Sequence, residues 1–115
     1  MTMNPVQIFK CLADETRLKC LLLIQSEGEL CVCELTSALG LSQPKVSRHL
    51  AQLRDCGVLS GRRDGQWVHY TLDESLPDWV RQLIADTAAA NPDFTAANQR
   101  LLDAMGDRPQ RSACC

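Results

Sequence analysis

The sequence predicts a mostly α-helical domain that carries one small β-hairpin. Leucine-rich stretches recur at helical spacing and are cut at Gly28, Gly40 and Gly57. A lone Asp64-Gly65 pair lies between two short alternating segments, the signature of a two-residue hairpin turn. The chain is 115 residues long, enough for one domain with a modest core, which gains stability by pairing with a second copy.

The elements follow in order. Ile8, Phe9 and Leu12 give residues 7–13 an apolar side. Asp14 suits the N-cap of a second helix, to about residue 26, with Leu18, Leu21 and Leu22 on one side. A third helix is expected from about residue 31 or 32 to 38, stopped by Gly40. Ser42 caps a fourth, to about residue 56, and Pro44 fits its first turn. Val46, Leu50 and Leu53 form its buried stripe, so Lys45, Ser47, Arg48 and Gln52 point elsewhere. Residues 58–63 and 66–72 flank the hairpin turn, with Val68, Tyr70 and Leu72 alternating on one face. Helices over residues 76–90 and 94–105 follow, separated by Asn91-Pro92. The tail 106–115 is polar and is expected to be disordered apart from Cys114-Cys115. Residues 1–90 are read as one domain. Residues 91–115 are read as a C-terminal helix and a cysteine-bearing tail.

Composition narrows the class. No run of 18 apolar residues exists, and the N-terminus lacks a secretory signal, so a cytoplasmic protein with no membrane partner is expected. Seven cysteines are then a high count. An odd number without export argues against a disulfide scaffold and for metal binding. The net charge is only −2, yet it is unevenly spread. Residues 43–66 carry five bases against two acids, and residues 73–107 two bases against seven acids. A local basic patch is what attracts phosphate.

Two short helices joined through Gly40-Leu41-Ser42, followed by a basic hairpin, make a winged helix-turn-helix. The second helix would enter the major groove of double-stranded operator DNA. Gln43, Lys45, Ser47, Arg48 and Gln52 are candidates for bases and phosphates, with Arg62 and Arg63 on the wing. His49 flanks the buried stripe and is read as a packing or hydrogen-bonding residue.

Cys31 and Cys33 stand where the third helix begins. Thiols suit soft ions, and bonds of about 2.3 Å put two sulfurs on one ion within about 4.6 Å. In a regular helix, positions i and i+2 are rotated by roughly 200°. The two would share an ion only if the first helical turn unwound, which would disturb the reading helix behind it. A helix N-terminus is also expected to lower thiol pKa values. Cys11, Cys20 and Cys56, within or at the ends of helices, are read as structural.

These residues resemble the arsenic repressor (ArsR) family. The resemblance rests on Phe9 to Leu18, Glu29 to Leu35, Ser42 to Leu50 and Gly65 to Tyr70, and covers about residues 5–85. It implies a homodimeric winged-helix repressor of an arsenic-resistance operon, released when arsenite or antimonite binds Cys31 and Cys33. It also implies a dimer interface from the first and last long helices, with Trp79, Leu83, Leu101 and Leu102 as candidates, and no enzymatic cofactor. Near relatives carry a third cysteine where this chain has Thr36. Cys114, Cys115, a small thiol or a hydroxide is then the third ligand.

Three other readings compete. Sensors of cadmium, lead or zinc share the C-x-C, but cadmium and lead sensors add N-terminal cysteines, and zinc sensors use fifth-helix histidines that residues 76–90 lack. Cys11 and Arg17 have the C-x5-R spacing of a phosphatase-like loop, without its glycines and with two acids between them. A thiol redox switch at the C-x-C or at Cys114-Cys115 is the third.

Overall fold

The computed structural model describes residues 4–106. The expectations for the tail, Cys114 and Cys115 included, therefore lie outside the described residues. α1 (Pro5–Leu12) begins two residues earlier than expected, because Asn4 Oδ1 accepts from the Val6 and Gln7 N–H groups and Pro5 needs no partner for its nitrogen. α2 (Glu15–Glu27) is capped by Asp14, whose carboxylate accepts from Arg17 N–H at 3.0 Å, and it ends at Gly28. Residues 20–24 of α2 are buried without a break, so this helix runs through the core instead of presenting one stripe to it.

β1 (Leu30–Cys31) is a strand that the sequence does not announce. It is followed at once by α3 (Val32–Leu39), which closes at Gly40 with φ 66°. α4 (Gln43–Asp55) starts on Ser42 and buries Val46, Leu50 and Leu53, the stripe expected from spacing. β2 (Leu59–Asp64) and β3 (Trp67–Leu72) form the hairpin. Its two-residue loop is Gly65-Gln66, one residue later than expected, with Asp64 facing Trp67.

β1 pairs antiparallel with the outer side of β3, giving a three-stranded sheet in the order β1-β3-β2. That extra strand explains a departure from alternation: both His69 and Tyr70 are buried, because β1 covers the edge at Leu30↔Tyr70 and Cys31↔His69. α5 (Asp78–Ala90), a short 3-10 turn (Pro92–Phe94) and α6 (Ala96–Ala104) complete the chain.

α6 packs on α3. Leu102 is fully buried there, and Asn98 Nδ2 donates to the Ala38 carbonyl at 2.9 Å. Leu102 is thus core and unavailable to a partner subunit, which corrects one expected interface residue. Among the described residues, Val6, Phe9, Trp79 and Leu101 are the large apolar side chains left exposed. Phe9 and Trp79 lie together, with ring centroids 6.3 Å apart. No described helix is long and apolar enough to cross a membrane.

Candidate functional site

The sulfurs of Cys31 and Cys33 lie 3.1 Å apart while α3 is intact. The expectation that the first turn must unwind to bring them together is therefore wrong. Both residues would need to be helical for their side chains to diverge, and Cys31 is not. It is the last residue of β1 and the N-cap of α3, with extended backbone angles (φ −89°, ψ 165°). The strand-to-helix corner turns its side chain toward Cys33. A sequence signal for this corner exists in Cys31-x-x-Glu34: the Glu34 carboxylate accepts from the Cys31 N–H at 2.9 Å, the return bond of a capping box.

Burial pushes the Cys31 thiol up to about 11. The Glu34 charge adds to this, while backbone N–H groups of Glu34 and Cys33 oppose it. The expected lowering by the helix N-terminus is overruled at Cys31, because loss of hydration disfavours the thiolate more than the local N–H groups favour it.

A cavity of about 370 Å³ opens beside the pair. Its walls come from three places: Cys31, Cys33 and Thr36 on the α3 side, Gln43 and Ser47 on α4, and Trp67 on the wing. The Thr36 hydroxyl donates to the Val32 carbonyl at 2.8 Å. Among the described residues no group of three potential ligands converges on one point.

The expected DNA-reading residues fall on one side of α4 and on the hairpin. Gln43, Lys45 and Arg48 are exposed and Ser47 is half-buried. Gln52 is exposed but engaged: Arg17 Nη1 donates to its Oε1 at 2.8 Å, and Arg17 Nε donates to the Cys11 carbonyl at 2.6 Å. His49 has the packing role read from the sequence, half-buried with Nδ1 3.4 Å from Arg17 and 3.8 Å from Asp14. On the wing, Arg63 is exposed, and Arg62 is paired with Glu29 at 2.9 Å. Sequence reasoning missed Arg17, Glu29, Glu34 and Trp67. Glu34 had the capping-box spacing as its cue, whereas the other three gain meaning only from tertiary contacts.

The arsR family of bacterial regulatory proteins matches residues 14–60. The chain is 52% identical to the arsenic resistance transcriptional regulator ArsR1 of Pseudomonas putida, over 98% of its own length and 88% of that protein's. The chain belongs to the arsR family. Its fold agrees with solved members. The AntR antimony-specific transcriptional repressor superposes with a TM-score of 0.65 at 31% identity, covering 76% of this chain and 77% of AntR. A homodimeric winged helix-turn-helix DNA-binding domain from Mycobacterium bovis superposes at 0.63 with 26% identity, covering 76% and 78%. Within the arsR family this chain is a winged-helix transcription regulator, and its Cys31–Cys33 pair borders a cavity that α4 and β3 also line.

Proposed function

We propose that this protein represses an arsenic-resistance operon as a homodimer on double-stranded DNA and leaves the operator when arsenite or antimonite binds Cys31 and Cys33. The observation that carries the reading is the 3.1 Å sulfur pair opening onto a cavity walled by α4 and the wing. Bonds of about 2.3 Å meeting near a right angle, as at a trivalent pyramidal centre, hold two sulfurs about 3.3 Å apart; a tetrahedral centre holds them about 3.8 Å apart. The observed spacing sits nearer the first.

Proton bookkeeping points the same way. Arsenous acid is neutral at pH 7 and condenses with two thiols, forming two As–S bonds and releasing two waters with no net proton. A divalent cation must displace both thiol protons, and a Cys31 thiol at about 11 gives its proton up reluctantly. Occupation of the cavity by the metalloid and its remaining hydroxyl changes the spacing between α4 and the wing. DNA binding then weakens by as much as the ligand prefers the DNA-free arrangement. The related names support the reading, since one relative is an arsenic resistance regulator and one structural neighbour is antimony-specific.

Two copies joined through the exposed Phe9–Trp79 face would set two α4 helices on half-sites about one helical turn apart. Titration of operator-bound full-length protein with arsenite, antimonite and cadmium tests the proposal. Release by the two metalloids at concentrations well below those needed for cadmium is expected. Release by cadmium alone would overturn it.

A further inference from the structure

A second cysteine pair lies outside the inducer site. Cys11, near the end of α1, and Cys56, at the end of α4, are 45 residues apart in sequence, and their sulfurs are in bonding contact. Their junction is built around the same Arg17 that holds both the Cys11 carbonyl and Gln52. An open groove of about 280 Å³ exposes Cys11 beside Lys10 and Arg17. Cys56 is half-buried, 3.3 Å from the Leu53 carbonyl, which its thiol would address when reduced. Both cysteines are thus half-buried, and Cys11 lines the groove together with Lys10 and Arg17.

We propose that Cys11 and Cys56 form a reversible oxidation site, a latch closed by hydroperoxides that fixes the reading helix to α1 and weakens DNA binding independently of the metalloid site. The Cys11 sulfur, as thiolate, attacks one oxygen of the peroxide. The O–O bond breaks, hydroxide or alkoxide leaves and takes up a proton, and Cys11 becomes a sulfenic acid. The Cys56 thiol attacks that sulfur, the S–O bond breaks, water leaves, and the disulfide forms. The pair loses two electrons and two hydrogens, and hydrogen peroxide becomes two waters. A cellular dithiol reverses the step by exchange. The closed latch holds the C-terminal end of α4 against α1 and keeps Gln52 on Arg17, withholding a polar side chain from the groove it would read.

The test uses full-length protein, reduced and then treated with hydrogen peroxide. Peptide mapping after alkylation should recover a fragment joining Cys11 to Cys56 that dithiothreitol separates. The thermal midpoint should rise on oxidation by on the order of 10 °C, because the cross-link closes a long loop. Operator affinity should fall at least tenfold and recover on reduction. Cys56→Ser should lose all three responses while still leaving the operator on addition of arsenite. The wild-type chain is its own control, so a poorly folded variant does not decide the outcome. Absence of the linked fragment, or a Cys56→Ser protein as peroxide-sensitive as wild type, overturns the proposal. Loss of arsenite release in an otherwise peroxide-responsive wild type would instead strike the metalloid reading and leave the latch standing.

Discussion

Two pairs of cysteines in one small domain come together by opposite routes. Cys31 and Cys33 are neighbours in the chain, and their approach is local: an extended residue ends a strand, the helix starts on it, and the corner swings one sulfur onto the other. Cys11 and Cys56 meet because α1 and α4 pack on each other and on α2, with Arg17 spanning the junction. The first pair opens onto the cavity between reading helix and wing; the second ties the far end of that helix to α1. Chemistry alone does not separate a sensor from a latch. Which moving parts the sulfurs touch decides it.

The sharpest way to break that comparison is to remove one thiol from each pair. Cys33→Ser leaves a single sulfur at the inducer cavity, and loss of one of two linked ligands should raise the arsenite concentration for half-release on the order of a hundredfold. Operator affinity without inducer should stay within about threefold, because the wild-type thiol makes no DNA contact in the proposed reading. Cys11→Ser in the same fluorescence-anisotropy titration should shift half-release by less than about twofold. Equal effects of the two substitutions would mean that the pairs act as one site.

Acidity at Cys31 separates the candidate ligands. Cys31 holds its proton to about 11, so cadmium, which must displace that proton, should bind at least tenfold more tightly for each pH unit gained between 7 and 9. Arsenite binding, which releases water, should stay nearly flat over the same interval while arsenous acid remains neutral. A parallel rise for both ions would remove the proton argument from the choice of inducer. The same shift bears on folding. Cys20 is pushed up to about 12 by burial, and an unfolded thiol titrates near 9. Between 9 and 11 the folded chain therefore holds more protons than the unfolded one, and stability falls as pH rises. Thermal midpoints measured across that window should drop, and Cys20→Ala should shallow the slope.

Much of the fold was legible because its signals are local. Asp14 and Ser42 cap helices, Gly28 and Gly40 end them at positive φ, and the Val46, Leu50, Leu53 stripe follows from spacing alone; the Asn4 cap of α1 was not read. β1 was not legible: two residues carry no periodicity, and Leu30-Cys31 becomes a strand only because the β3 edge is there to pair with. Cys31 and Cys33 were visible as a spacing, but their geometry was misjudged for the same reason. Treating Cys31 as helical overlooked the strand that holds it extended. The Cys11–Cys56 contact left no local trace, since each residue alone looks like a small apolar side chain at a helix end.

The wing and the reading helix make a comparison of their own. Among the described residues no carboxylate pairs with Arg48, whereas Arg62 is held by Glu29 at 2.9 Å. Arg48 can therefore reach a phosphate without first breaking an ion pair. Arg48→Ala should weaken operator binding about tenfold and lower the salt slope by about one. Arg62→Ala should cost less, since DNA must compete with Glu29 for that guanidinium. An unchanged slope for Arg48→Ala would take it off the interface.

The smallest expected effect lies at the foot of α2. Asp14 accepts from the Arg17 N–H at 3.0 Å, and that backbone bond holds its carboxyl below the usual carboxylate range. Its contribution is therefore present above about pH 4 and is lost as pH falls through the lowered value. Asp14→Ala should cost about 1 kcal/mol in urea unfolding at pH 7, and Asp14→Asn, which keeps a capping oxygen, should cost less. Fraying of this first turn would also loosen Arg17 from the Cys11 carbonyl and from Gln52. Asp14→Ala should consequently slow the joining of Cys11 to Cys56 and leave arsenite release untouched. An effect on arsenite release equal to that on the latch would show that the two thiol pairs communicate through α2.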